Sequence, residues 1–283
     1  NQCFTGDGVS TRTMSILLSN DDGVRAPGLT ALARVLSEHY DLQVIAPTYD
    51  RSGVSNCLTL DRPLQVEVLS NNYIGVDGTP TDCVHLGTSG IYGPLPERVI
   101  SGINYGANLG DDVLYSGTVA AAMEGRFLAK PAIAVSLVTS QSVQADVSFD
   151  NAARILHQLL VFIETLDMPP ATVLNINIPD LPVNKIKGVK FTTLGRRLKS
   201  ESPVRTENPR GKTVYWIGRA GGPVENKPGT DFHEVANGYI SITPIHSDMT
   251  HDVALKELIK TPTETISASI GDAGELDDGR AEG

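Results

Sequence analysis

The most restrictive feature of this chain is a short apolar run that ends in an acidic turn. Residues 15–18 are typical of a buried strand, and the adjacent carboxylates of Asp21 and Asp22 follow. Apolar residues at helical spacing predict a helix over residues 27–39, and a second β-branched run covers residues 42–46. Strand, helix and strand in this order predict an α/β fold built on a parallel sheet.

Strands and helices alternate over most of the remaining sequence. Further strands are expected at residues 64–69, 73–76, 98–104, 132–138, 173–178 and 239–244, and further helices from near Asp82 and over 119–128, 151–166 and 254–260. Residues 190–195 and 213–218 predict two strands of a long β-hairpin arm, which occupies residues 187–225. Trp216 in this arm suggests a subunit contact, or packing on its own domain. We therefore expect a single α/β domain over residues 14–262.

Composition limits the possible partners. The chain has 283 residues and a formal net charge of -10, which disfavours non-specific binding to nucleic acid or to an anionic membrane. Its 3 cysteines include no CxxC pair, which argues against a disulfide framework and structural zinc and favours a cytoplasmic protein. No apolar run reaches the roughly 18 residues needed to span a bilayer. Residues 1–13 and 263–283 are expected to be a disordered leader and tail.

Oxygen-bearing side chains follow several of the predicted strands. Asp21 and Asp22 end the first strand, Ser52 lies in the loop after the second, and Asn104 ends a later one. Ligands bind outside the carboxyl ends of strands in open parallel sheets. Adjacent carboxylates with hydroxyl and amide oxygens suit a hard divalent cation, Mg²⁺ or Mn²⁺. Asn-Asp-Asp-Gly is also a good turn sequence, and the loop around Ser52 is equally typical of an ordinary surface loop.

A second candidate site lies at the start of an Ala-rich helix. A Gly- and Asn-rich loop leads to Ser116, Gly117 and Thr118, whose free backbone N–H groups would favour an anion such as phosphate. The lysine of a P-loop is missing. Alternatively, Ser116 or Thr118 is simply the helix cap, a role compatible with phosphate binding.

The C-terminal region contains a third group of polar residues. A second metal site is conceivable there, but the spacings fit no ligand pattern, and solvated polar loops are the favoured interpretation. The residues concerned are Asp231, His233, Glu234, His246, Asp248, His251 and Asp252.

A divalent metal beside a phosphate site predicts hydrolysis of a phosphomonoester or phosphoanhydride. Two other classes stay open. One is a regulatory module that binds Mg²⁺-nucleotide without turnover, and the other is an oligomer scaffold built on the arm. Paired carboxylates beside an open water site favour the enzyme.

Several motifs together resemble the SurE family of stationary-phase survival proteins. They are LSNDDG (18–23), RSG (51–53), GTPTDC (78–83), SGIN (101–104) with Gly106, NLGDD (108–112) and YSGTVAAAMEG (115–125). The resemblance implies a metal-dependent 5'/3'-nucleotidase, with short polyphosphate as a further or even the main substrate. It also implies a Rossmann-like three-layer fold whose arm and C-terminal segment, residues 239–262, exchange between subunits of a homodimer or homotetramer.

The resemblance also assigns roles to residues. One Mg²⁺ or Mn²⁺ per subunit would be held by Asp21, Asp22, Ser52 and Asn104. The phosphate of a nucleoside monophosphate would contact Asn108, Ser116, Gly117 and Thr118. In the mechanism we expect, Asp21 or Asp22 takes the proton of a metal-activated water. The alternative is an aspartyl-phosphate formed on Asp21.

Overall fold

The computed structural model describes residues 13–139 and 149–262, and this part of the chain contains a nine-stranded mixed sheet with helices on both faces. The strands are β1 Ser15–Ser19, β2 Asp41–Pro47, β3 Val66–Val68, β4 Ile74–Val76, β5 Arg98–Tyr105, β6 Ala132–Val138, β7 Val173–Pro179, β8 Val189–Phe191, β9 Val204–Glu207, β10 Thr213–Trp216 and β11 Ile240–Ile245. The helices are α1 Pro27–Leu36, α2 Pro80–Gly87, α3 Gly117–Glu124, α4 Phe149–Ile163, α5 Asp231–Ala236 and α6 Asp252–Leu258. The predicted tail, and the predicted leader apart from Thr13, lie outside the described residues.

The chain divides into two compact units, residues 1–246 and residues 247–283. The eleven strands named above and helices α1 to α5 belong to the first unit, and α6 belongs to the second.

The strand order reverses its direction of growth at β1, in the middle of the sheet. The order is β3-β4-β2-β1-β5-β6-β7-β11-β8, and neighbours from β4 to β7 are parallel, whereas β3 and β11 run antiparallel to β4 and β7. The chain leaves β1 towards β2 on one side, and β5 pairs with β1 on the other. In sheets of this kind, the crevice at such a reversal is where ligands bind. Ser19 at the end of β1 is paired with Ser101 of β5 there.

Two apolar layers cover the sheet, which confirms the predicted three-layer α/β architecture. Leu29 and Leu32 of α1 and Leu156 of α4 belong to the core on one face. Val84 of α2 and Val119 of α3 belong to the core on the other. Burying the large side chains of these layers supplies about 1.5–3 kcal/mol each.

The arm departs from its prediction. The strands expected at residues 190–195 and 213–218 do not pair with each other, because β8 joins the main sheet in parallel with β11. The hairpin partner of β10 is instead the unpredicted β9, in an antiparallel pair from Val204↔Trp216 to Glu207↔Thr213. All four residues of β9 are exposed, so β9 has no buried face to give it an alternating apolar pattern.

Candidate active site

The acidic turn after β1 is held in shape by the buried side chain of Asn20. Its amide nitrogen donates to the Gly23 carbonyl at 3.0 Å, and its amide oxygen accepts from the Gly23 backbone nitrogen at 3.2 Å. Gly23 has a φ of +104°, which residues with a side chain rarely adopt. The segment is therefore a turn, as its sequence suggests, and this turn places Asp21 and Asp22 at the carboxyl end of β1. The turn and the candidate metal site are compatible.

Burial and the neighbouring carboxylates disfavour the charged forms of Asp21 and Asp22. Burial raises the pKa of Asp21, although the Thr118 hydroxyl donates to its Oδ1 at 2.5 Å. Burial and then the charge of Asp21 raise the pKa of Asp22 to about 7, and the nearby Asp50 contributes to both shifts. Among the described residues, no lysine or arginine forms an ion pair with either carboxylate. A cation at this position would relieve the repulsion.

The start of α3 packs directly against Asp21. A Cβ atom on Gly117 would lie 2.7 Å from the Cβ of Asp21, so only glycine allows this approach. Ser116 caps the helix, because its Oγ accepts from the Val119 backbone nitrogen at 3.0 Å. The Thr118 hydroxyl proton is therefore engaged with Asp21, whereas Ser116 Oγ accepts in the cap and keeps its own O–H as a donor. The helix start offers an anion its backbone N–H groups and its dipole.

Asn104 reaches the same place at the end of β5. The register between β5 and β6 shifts between Ser101 and Asn104, an irregularity that redirects the end of the strand. The Nδ2 of Asn104 donates to the Gly106 carbonyl at 2.9 Å, which leaves its Oδ1 available to another partner. The next backbone nitrogen, that of Tyr105, donates to Asp22 Oδ2 at 3.3 Å.

Ser52 lies in the loop after β2, beside a second backbone contact to the acidic turn. The Arg51 backbone nitrogen donates to the Asp21 carbonyl at 2.8 Å. The Oγ of Ser52 donates to Asp50 Oδ1 at 2.6 Å, so the hydroxyl proton is engaged and the lone pairs of Oγ stay available. Ser52 itself is exposed.

Asn108 takes part in a buried polar network under the site. Its Nδ2 donates to Ser136 Oγ at 2.7 Å, and its backbone nitrogen donates to Asn177 Oδ1 at 2.9 Å. Its carbonyl accepts from the side chains of Asn175 and Asn177 at 2.8 and 3.0 Å. The network fixes the loop that leads to α3. The predicted phosphate contact of Asn108 stays a prediction, because its amide nitrogen is engaged with β6.

The sequence interpretation missed a carboxylate that holds this loop. Asp231, expected in a solvated loop, is fully buried, and Glu234 is also buried, so that expectation was wrong for both residues. The Oδ2 of Asp231 accepts from Gly110 at 2.7 Å, and its Oδ1 accepts from Gly195 at 2.8 Å. Thr230 before α5 is a residue type that favours a helix start, but no local pattern indicates that the next side chain is buried.

Arg197 makes a second link to the loop before α3. Its guanidinium pairs with Asp112, and its backbone nitrogen donates to Asp111 Oδ2 at 2.8 Å. This loop is therefore fixed on one side by β6 and β7 and on the other by the segment after β8.

The donor set fits one hard cation at the acidic pair. The available atoms are oxygens: two carboxylates, the Ser52 hydroxyl and the Asn104 amide. In the described ranges, no group of three or more His, Cys, Asp or Glu side chains is placed to hold a metal ion. A cation here thus depends on neutral oxygen donors in addition to Asp21 and Asp22.

The chain is therefore an α/β protein with an open, mostly parallel sheet, in which Asp21 packs against the N-terminus of α3 where the strand order reverses. The chain belongs to the SurE family, because the family model described as "Survival protein SurE" matches residues 16–201.

Relatives match over nearly their whole length. A 5'-nucleotidase SurE from Ectopseudomonas mendocina (strain ymp) is 54% identical over 245 residues, which are 87% of this chain and 97% of the relative. A protein of the same name from Pseudomonas aeruginosa (strain UCBPP-PA14) is 55% identical over 240 residues, 84% of this chain and 94% of the relative. The crystal structure of the SurE protein from Aquifex aeolicus superposes with a TM-score of 0.73 at 39% identity, covering 86% of this chain and 97% of that one.

Proposed function

We propose that this protein is a metal-dependent phosphatase that hydrolyses nucleoside 5'-monophosphates to nucleoside and phosphate. The observation that carries the proposal is the acidic pair, of which Asp21 is buried against the start of α3 and Asp22 is partly buried. In the part of the chain that the structure describes, no lysine or arginine forms an ion pair with either carboxylate. The name 5'-nucleotidase, which relatives covering most of the chain bear, supports this substrate class. Nucleoside 3'-monophosphates are a further proposed substrate, on the family resemblance alone.

Asp21 and Asp22 take different roles in this proposal. Asp21 is almost fully buried, and the Thr118 hydroxyl occupies one of its oxygens, so Asp21 is the fixed member of the pair. Asp22 is more accessible, and we assign it as the base that takes the proton of the attacking water. The backbone N–H groups at the start of α3 hold the phosphoryl oxygens as charge develops on them.

Asp21, Asp22, Ser52 and Asn104 would hold the metal. When bound, Mg²⁺ or Mn²⁺ supplies Lewis-acid polarisation of the phosphoryl group and acidifies bound water. Asn108 and Asp231 keep the intervening loop in position from opposite sides.

The test is phosphate release from a panel of nucleoside monophosphates with Mn²⁺, Mg²⁺ or EDTA. Wild type is compared with Asp21→Asn and with Asp41→Asn, an exposed carboxylate at the opposite end of β2 from the site. We expect turnover that requires metal, is lost in Asp21→Asn and persists in Asp41→Asn. No turnover by wild type with any metal would make a nucleotide-binding module the better proposal.

A quenched single turnover separates the two chemical routes. With substrate labelled in the phosphoryl group, the water mechanism predicts label in free phosphate only. Label that stays on denatured protein would establish an aspartyl-phosphate instead.

The assembly state is also proposed. We propose a homodimer or homotetramer formed through the arm, because the side chains of Tyr215, Trp216 and Ile217 are 64%, 69% and 86% exposed. Exchange of the C-terminal segment and a cytoplasmic location remain proposals of the same kind. No helix in the described residues is long and apolar enough to cross a membrane. Light scattering on the purified protein gives its molar mass and distinguishes a monomer from a dimer or a tetramer.

A further inference from the structure

An aromatic residue lies directly beside the acidic pair. Tyr105 is the last residue of β5, and its backbone nitrogen donates to Asp22 Oδ2 at 3.3 Å. The side chain is 50% exposed, although tyrosine carries a large apolar ring. The proposed function gives no role so far to this ring beside the place where phosphate would be held.

The ring of Tyr105 is supported on one side. The Phe149 ring lies 6.5 Å away between centroids, with an interplanar angle of 54°. The backbone hydrogen bond to Asp22 holds the main chain of Tyr105 in place, and the Phe149 ring restricts the movement of the Tyr105 ring. A ring held in this way loses little conformational freedom when a flat ligand group packs on its open side.

Two other exposed tyrosines near the site are less restrained. Tyr49 is 70% exposed and Tyr115 is 69% exposed. In the part of the chain that the structure describes, neither has an aromatic neighbour at packing distance. Neither is in hydrogen-bond contact with the acidic pair through its own backbone, as Tyr105 is.

We propose that the Tyr105 ring is the surface on which the base of a nucleoside monophosphate stacks while its phosphate lies at the acidic pair. The inference rests on the proposed nucleotidase function and adds to it the feature that favours nucleotides over other phosphomonoesters. Stacking uses the π-face that every base has, so it selects for the presence of a base more than for its identity. Purines, which have the larger face, gain more than pyrimidines.

The experiment compares AMP with ribose 5-phosphate, in which a hydroxyl group replaces the base. The measured quantity is the ratio of their kcat/KM values, determined on the same sample so that the fraction of folded protein cancels. We expect Tyr105→Ala to lower this ratio on the order of tenfold, mainly through the KM for AMP, and Tyr105→Phe to keep it near wild type. Tyr49→Ala is the matched control and is expected to keep the wild-type ratio.

Other outcomes distinguish the two proposals. If wild type hydrolyses AMP but Tyr105→Ala keeps the wild-type ratio, the stacking role is wrong and the nucleotidase function stands. A lowered ratio in Tyr49→Ala or in Tyr115→Ala, with none in Tyr105→Ala, also overturns the role of Tyr105. If wild type releases no phosphate from any monophosphate, the function fails and the stacking proposal fails with it.

Discussion

Replacing Asp22 by asparagine is expected to make the metal-free protein more stable. Asparagine has the same shape as aspartate, and its side-chain oxygen can still accept from the Tyr105 backbone nitrogen. What the change removes is a negative charge that is partly buried beside Asp21, with Asp50 nearby. Like charges that lie close together and partly out of water repel each other, so removing one of them relieves the repulsion.

The magnitude follows from the pKa of Asp22. Its rise from 3.8 to about 7 corresponds to about 4 kcal/mol, at about 1.4 kcal/mol per pKa unit. The direction of the pH dependence follows from a carboxyl group whose pKa is higher in the folded than in the unfolded state. Between about pH 4 and pH 7 the folded protein keeps a proton that the unfolded chain releases, so wild-type stability falls as the pH rises through this window. The advantage of Asp22→Asn should therefore be small near pH 4 and reach roughly 2–4 kcal/mol above pH 7.

The assay is urea unfolding followed by far-ultraviolet circular dichroism in EDTA, from pH 4 to pH 8. Asp41→Asn, which neutralises an exposed carboxylate, is the control and should change stability by less than about 0.5 kcal/mol. Added Mg²⁺ should raise the free energy of unfolding of wild type and leave that of Asp22→Asn almost unchanged. The stability difference between the two proteins should then narrow or reverse. An Asp22→Asn variant that is no more stable than wild type at pH 8, or whose advantage does not vary with pH, would show that the Asp22 charge does not destabilise the fold.

Three further predictions concern residues at different distances from the site. Gly117→Ala places a Cβ 2.7 Å from the Cβ of Asp21 and should cost about 1–3 kcal/mol of stability while lowering kcat/KM at least about tenfold. An unchanged kcat/KM would show that this close approach is not needed. Thr79→Ala removes the cap of α2 and should cost about 1 kcal/mol in urea unfolding, and no loss would mean that the cap is replaced. Arg98→Ala removes the buried partner of Glu164 and should cost about 3 kcal/mol. The kcat of Arg98→Ala, measured under conditions in which the variant is folded, should match that of wild type, because Arg98 lies at the opposite end of β5 from the site.

Most strands and helices of the first unit follow from the sequence alone, with β9 and α5 as the exceptions. β1 and β6 follow from apolar runs, and β6 has the predicted bounds, residues 132–138. The acidic turn follows from Asn20 and Gly23, which contact each other within three residues. These signals are local, because a turn, a cap or a buried strand is specified by residues close together in the chain.

The contacts between the site residues, in contrast, depend on the packing of distant segments. Thr118 and Asp21 are 97 residues apart in the chain, and no periodicity indicates that the hydroxyl of one meets the carboxylate of the other. Asp231 lies in a sequence segment whose polar composition is typical of a surface loop. It is nevertheless buried, and the backbone nitrogens of Gly110 and Gly195 donate to its carboxylate. The pairing partner of an exposed strand and the burial of a polar side chain depend on segments distant in sequence, and such contacts leave no local pattern.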